Sequence, residues 1–166
     1  MKKKILFVTS TRADFGKLKS LIKITKKSKK FSVYIIVTGM HMMHTFGDTH
    51  TEITKFFKSN VIKFRNQRFK DNLDTILTNT VEKFSIIVKK IKPDLILIHG
   101  DRIESLGCAL VGSLNHILTA HIEGGEVSGN IDDTIRHAVT KLSHIHFVGN
   151  NKAKKRVLNM GEKRNS

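Results

Sequence analysis

Short apolar runs and longer amphipathic spans alternate along this chain from end to end. Residues 5–9 form a run with the length of a buried strand, and the segment after Gly16 carries Leu18, Leu21, Ile22 and Ile24 on one helical face before it fades into lysines 26–30. Residues 31–38 read as a second strand. Gly39 then opens a loop rich in Met and His, residues 49–58 suggest a short helix, and residues 61–64 a weaker third strand. From 72 to 91 the apolar residues Leu73, Ile76, Leu77, Val81, Phe84, Ile87, Val88 and Ile91 recur at intervals of three and four, the strongest helical pattern present, which Pro93 brings to an end. A four-residue strand at 95–98 leads into a helix at 103–114 whose Gly107, Ala109 and Gly112 suit close packing on a sheet. Strands at 117–123 and 145–148 and helices at 132–142 and 151–160 complete the alternation. The pattern predicts an α/β fold, a doubly wound parallel sheet of the Rossmann-like kind, with no internal repeat or linker.

Length and composition narrow the class. At 166 residues with 39% hydrophobic content, the chain suits one domain with a sizeable core. A single cysteine, Cys108, excludes an internal disulfide and fits a reducing compartment. No apolar run has the length of a membrane span, and Met1-Lys2-Lys3-Lys4 leads into a run too short for a signal-peptide core. The expectation is a cytoplasmic protein with no membrane partner. Thirty Lys+Arg against 14 Asp+Glu give a net charge of +16, an excess that attracts nucleic acid, membrane surfaces or anionic small molecules such as nucleotide sugars. The lysines cluster at 2–4, 23–30 and 152–155, which reads as solvated surface. Ten Phe and one Tyr sit mostly in apolar contexts, not interleaved with basic residues, so a nucleic-acid partner is disfavoured.

Open parallel sheets bind ligands at the carboxyl ends of their strands, so residues just after the apolar runs are the candidates for chemistry. The first such loop, Thr11-Arg12-Ala13-Asp14-Phe15-Gly16, is either an anion site at a helix N-terminus, with Arg12 as a bidentate donor, or a plain helix start capped by Asp14. It matches neither a P-loop nor a dinucleotide fingerprint. Nine histidines, including His41 with His44 and His144 with His146, show no ligand set for a metal. Cys108 lies in an apolar helical run, and no serine sits in a nucleophile elbow, so acyl transfer is disfavoured. Asp101, Glu123 and Asp132 or Asp133 follow successive strands or open the next helix, so a parallel sheet gathers them at one edge. Carboxylates placed so can divide acid, base and charge-stabilising roles, and Gly124, Gly125 and Gly129 let backbone approach a ligand closely. Spacing alone leaves open the plainer reading in which these acids cap helices.

The residue strings themselves carry more than their spacing. His99-Gly100-Asp101-Arg102, then His121-Ile122-Glu123-Gly124-Gly125-Glu126-Val127-Ser128-Gly129, then Ile131-Asp132-Asp133-Thr134-Ile135-Arg136-His137, preceded by the Thr11 to Gly16 loop, closely resemble the hydrolysing UDP-N-acetylglucosamine 2-epimerases in the same order. These enzymes act early in the biosynthesis of sialic acid and related nine-carbon sugars. Non-hydrolysing relatives usually carry Thr-Arg-Pro-Glu and His-x-Glu-Ala-Gly, where this sequence has Ala13-Asp14 and Gly124-Gly125-Glu126. The resemblance implies a UDP-sugar substrate, no cofactor and no metal, and a reaction in which UDP is eliminated and water then added. It implies that Asp101, Glu123 and Asp132 are the catalytic acids. Arg12, His41, Arg102, Gly124, Gly125, Glu126, Ser128 and Arg136 would surround the substrate.

Members of that family run to roughly twice this length. The resemblance therefore implies that residues 1–166 are the N-terminal domain of a two-domain, glycosyltransferase-B-like enzyme, that the C-terminal UDP-binding domain lies outside this chain, that the half alone is inactive, and that the full-length form is a homo-oligomer. Two other readings fit the bulk properties: half of a nucleotide-sugar glycosyltransferase, or a basic module that binds nucleic acid through its lysines.

Overall fold

In the computed structural model, which describes residues 1–164, six parallel strands carry helices on both faces. Strand β1 (Lys3–Thr9) leads into α1 (Arg12–Lys27), β2 (Phe31–Val37), α2 (His50–Phe56) and β3 (Val61–Lys63). The second half runs α3 (Leu73–Ile91), β4 (Leu95–His99), α4 (Ile103–Leu114), β5 (Leu118–Ile122), α5 (Ile131–Leu142), β6 (Ile145–Phe147) and α6 (Asn151–Asn159). Every expected element forms, most with ends displaced by a residue or two; α1, expected only after Gly16, starts five residues earlier at Arg12, so most of the expected loop is its first turns. The one addition is at Gly39, where the expected loop winds into two 3-10 turns, Gly39–Met42 and His44–Phe46.

The strands lie in the order β3-β2-β1-β4-β5-β6, so the chain works outward from β1 in one direction and then outward from β4 in the other. Loops leaving β1 and β4 therefore diverge, and the crevice between them at the carboxyl edge is where such sheets take ligands. Alternation along the strands divides the core. Leu6, Val8, Ile36, Ile96 and Ile98 face the layer of α3, α4 and α5 with Phe84, Val88 and Val139. Ile5, Phe7, Ile35, Val37 and Leu97 face the other layer with Phe15, Leu18 and Ile22 of α1 and Ile53 of α2. The small residues of α4 do what their size allows. A Cβ on Gly107 would stand 2.9 Å from Thr80 of α3, and one on Gly112 would stand 2.4 Å from Thr119 of β5.

Helix ends follow local chemistry. Thr11 accepts from the Asp14 N–H while the Asp14 carboxylate accepts from the Thr11 N–H, a capping box that starts α1 two residues after β1. Lys92, in the left-handed region at φ 53°, closes α3, and Pro93 prevents its continuation. Asp94 then binds Lys3 Nζ and Lys4 N, both at 2.8 Å, which sets β4 beside β1. Among the described residues no helix is long and apolar enough to cross a membrane.

Candidate active site

At the switch point, the loops after β1, β4 and β5 enclose an open cleft of about 490 Å3. Three charged pairs organise it. Lys17, on the second turn of α1, donates to both carboxylate oxygens of Glu123 at 2.7 Å. Arg136 on α5 donates to Asp101, and through its other terminal nitrogen to Asp133 at 3.0 Å. Arg102 donates through Nε to Glu104, a fully buried carboxylate, at 3.1 Å. The cations of this cleft are thus already matched by the chain's own acids.

Glu123 is held in an unusual way. Its backbone lies in the left-handed region, φ 64°, immediately after β5, and its N–H donates to Phe147 O at 2.8 Å. Non-glycine residues adopt this conformation at a cost, which the surrounding bonds offset. Partial burial pushes its carboxyl up, but the hydrogen bonds and charge of Lys17, with His99 beside the carboxylate, outweigh burial and hold it below the usual glutamate value. His99 Nε2 lies 3.2 Å from Glu123 Oε2, yet off the line of a hydrogen bond, so the contact is polar but unpaired. Burial pushes His99 below its ordinary value even with Glu123 beside it, which keeps the ring neutral at pH 7. The cleft therefore presents an ionised carboxylate and a neutral imidazole side by side. Asp101, the acid of the neighbouring strand end, stands across from them.

The structure separates the expected site residues into two groups. Asp101, Arg102, Glu123, Glu126 and Arg136 line the cleft. Arg12 projects away from it, 70% exposed, toward Glu52 at 3.5 Å. His41 is fully buried and bonds through Nε2 to Thr9 at 3.0 Å and through Nδ1 to Thr49 at 2.6 Å. It supports the first loop from beneath, because Thr9 in turn bonds to Asp14. Gly124 and Gly125 are buried against the helices behind the loop: added Cβ atoms would meet Thr140 of α5 at 2.9 Å and Ala153 O of α6 at 2.5 Å. Ser128 is exposed and bonds to Asp133. Asp132 lies outside the cleft lining, at the start of α5, where its N–H is capped by Asn130.

The first loop resolves in favour of internal capping. Asp14 accepts from the N–H groups of Ser10 and Thr11 and from the Ser10 hydroxyl at 2.9 to 3.0 Å, so its carboxylate is engaged in capping the start of α1. Lys17 and His99 are the cleft residues that sequence reasoning passed over. Lys17 is hidden among solvated lysines, and only its position one helical turn after Ala13, which also lines the cleft, sets it apart. Among the described residues no group of three or more His, Cys, Asp or Glu is arranged to hold a metal.

A parallel sheet in this order, with a charged cleft at its switch point, defines a Rossmann-like α/β domain. Residues 23–166 match the family model described as UDP-N-acetylglucosamine 2-epimerase, and the chain belongs to that family. It is 48% identical over 162 residues to a UDP-N-acetylglucosamine 2-epimerase of Neisseria meningitidis serogroup B, with 98% of this chain and 43% of the relative covered. It is 41% identical over 165 residues to a GDP/UDP-N,N'-diacetylbacillosamine 2-epimerase (hydrolyzing) of Campylobacter jejuni, with 97% and 43% covered. A crystal structure of a UDP-N-acetylglucosamine 2-epimerase superposes with a TM-score of 0.87 at 24% identity, covering 99% of this chain and 46% of that one, a likeness of fold. The chain thus spans less than half the length of the curated relatives it matches.

Proposed function

We propose that this chain is the N-terminal domain of a hydrolysing UDP-sugar 2-epimerase and forms the acid-bearing wall of its active site. The observation that carries the reading is the pairing of Asp101 and Glu123 in one cleft, at the ends of adjacent strands, each acid held by its own cation. In the reaction, the C1–O bond breaks and its electron pair leaves with UDP, while the C2 proton passes to a carboxylate, giving a glycal. Water then adds its hydroxyl to C1 and C2 takes a proton on the opposite face, which releases the 2-epimer as a free sugar. Such chemistry needs one ionised carboxylate ready to accept a proton and further fixed charges beside the ring, and electrostatic preorganisation of this kind is commonly the largest catalytic term. Glu123, held ionised by Lys17, suits the part of a fixed negative charge beside the ring. The hydrolysing branch is favoured by Gly124-Gly125-Glu126 and by the hydrolysing activity for which the Campylobacter relative is named. The sugar is N-acetylglucosamine or a 2,4-diacetamido-trideoxy analogue, the two substrate types named for these relatives.

Because every cleft cation is already paired, UDP requires groups from the remainder of a longer protein, and this domain alone is inactive. Fusing this chain to the remaining C-terminal part of the Neisseria relative and supplying UDP-N-acetylglucosamine tests the reading. Release of UDP together with free 2-epimer, abolished by Asp101→Asn or Glu123→Gln, is the expected result. Formation of the 2-epimeric UDP-sugar with no UDP released would place the chain in the non-hydrolysing branch. Turnover by the unfused chain would refute its incompleteness.

A further inference from the structure

We propose that Asp133 is the positioning residue of this cleft: its carboxylate holds the Arg136 guanidinium toward Asp101 and at the same time ties the loop after β5 to helix α5. The inference depends on the proposed reaction only for its catalytic meaning, since the holding itself is a property of this chain.

Asp133 is unusually occupied for a residue near the surface. Its Oδ1 accepts from Ser128 N at 2.7 Å, from Ser128 Oγ at 3.0 Å and from Arg136 Nη1 at 3.0 Å, and its Oδ2 accepts from Gly129 N at 2.8 Å. Three of these donors belong to the loop, one to the helix. The backbone amides of Ser128 and Gly129, aimed at the carboxylate, hold its pKa below the usual aspartate value, and His137 adds to the effect. Arg136 follows Asp133 by three positions on α5, the spacing that puts two side chains on one helical face. Only 9% of the Arg136 side chain is exposed, so its charge must be matched from within. A planar guanidinium with one nitrogen on Asp133 and the other on Asp101 has its orientation set at both ends, which a single acid would not do.

The neighbouring acid provides the contrast. Asp132 carries the same charge at the same helix N-terminus, yet among the described residues its carboxylate takes no hydrogen bond and no ion pair, and only its N–H is engaged, by Asn130. The two acids differ by one position and by about 100° around the helix, which is enough to send one into the network and leave the other outside it. A ligand that shifts Ser128 or Gly129 would therefore move Asp133, and through Arg136 would reset Asp101 on the adjacent strand. The loop after β5 and the acid after β4 act as one unit.

Nuclear magnetic resonance on this chain, labelled with 15N and 13C, tests the inference at pH 7. In Asp133→Asn the amides of Ser128 and Gly129 should exchange on the order of tenfold faster, the effect of losing charge-assisted bonds. The Arg136 side-chain resonances should shift, while the amides of β4 and β5 keep their rates. Asp132→Asn, an identical charge change one residue away, should leave both signals in place. If Asp133→Asn does not fold, the wild type decides: the Ser128 and Gly129 amide shifts should titrate with the Asp133 carboxyl at one shared midpoint, below the ordinary aspartate value. Unchanged loop exchange and Arg136 signals in Asp133→Asn, equal effects of the two variants, or amide shifts that follow Asp132 would each overturn the proposal. No arm reads UDP release, so failure here leaves the proposed reaction standing, and an inactive fusion leaves this network standing.

Discussion

Replacing Gly125 by Ala tests how the cleft loop is anchored, because two separate costs meet at that position. Gly125 has φ 78°, the left-handed region, and an added Cβ would lie 2.5 Å from Ala153 O and 2.8 Å from Val157 Cγ2, both on α6. The conformational cost of a side chain there is about 1–2 kcal/mol. The first contact is with helix backbone, which yields only if α6 moves, and overpacking of that kind adds about 1–3 kcal/mol. Gly129 provides the comparison in the same loop: its φ is 84°, yet nothing stands within 4 Å of an added Cβ. Gly129→Ala should therefore cost only the conformational part, and Gly125→Ala roughly 2–5 kcal/mol in total. Urea unfolding of the two variants and the parent, analysed with a common m-value, measures the difference. Against a typical total of about 5–15 kcal/mol the larger loss is easily seen. Equal destabilisation by the two substitutions would refute the claim that α6 backs the loop, and with it the view that Gly125 is small for the sake of packing.

Two further predictions concern charge. Lys17→Met should raise the Glu123 carboxyl pKa, read by 13C titration, because partial burial then acts without the lysine that opposes it, and an unchanged midpoint would mean that Lys17 does not set the state of this acid. His121, buried with Nε2 at 2.8 Å from Gly100 O, is lowered from its ordinary value to about 4 by burial. Its neutral form is favoured only in the folded state, so its contribution is complete above about pH 6.5 and is lost as pH falls toward 4, some 2.5 units or about 3 kcal/mol. His121→Gln should flatten the fall of unfolding free energy over that window by about this amount. His41, His99 and His146 are shifted in the same direction, so a slope should remain, but a slope identical to the parent's would show that His121 does not contribute.

The architecture was legible because its signals are local. Short apolar runs, period-3.6 patterns and one proline after α3 each act within a few residues, and their alternation implies a parallel, doubly wound sheet, while the order of its strands came only with the structure. Asp101 and Glu123 were legible as cleft residues for the same reason, since strand ends converge at the switch point. The depth of His41 was not legible, because the turn that buries it, Gly39–Met42, folds back under β1 through contacts to Thr9 and Thr49, which no local pattern announces. The glycines after Glu123 were legible as a close approach but not as an approach to α5 and α6. Between Asp132 and Asp133 the linear chain offers no choice, since both are acids at the same helix start.

Taken by itself, the amino-acid sequence determined the alternation of strand and helix, the parallel sheet with its two apolar faces, and the edge at which the acids collect, because each depends on periodicity and short-range sterics. Only the tertiary structure decided which charges are matched with which. Lys17 with Glu123, Arg136 with Asp101, and His41 beneath Asp14 join residues from different elements, and pairs of that kind depend on the angle at which each side chain leaves its helix and on the depth to which packing buries it.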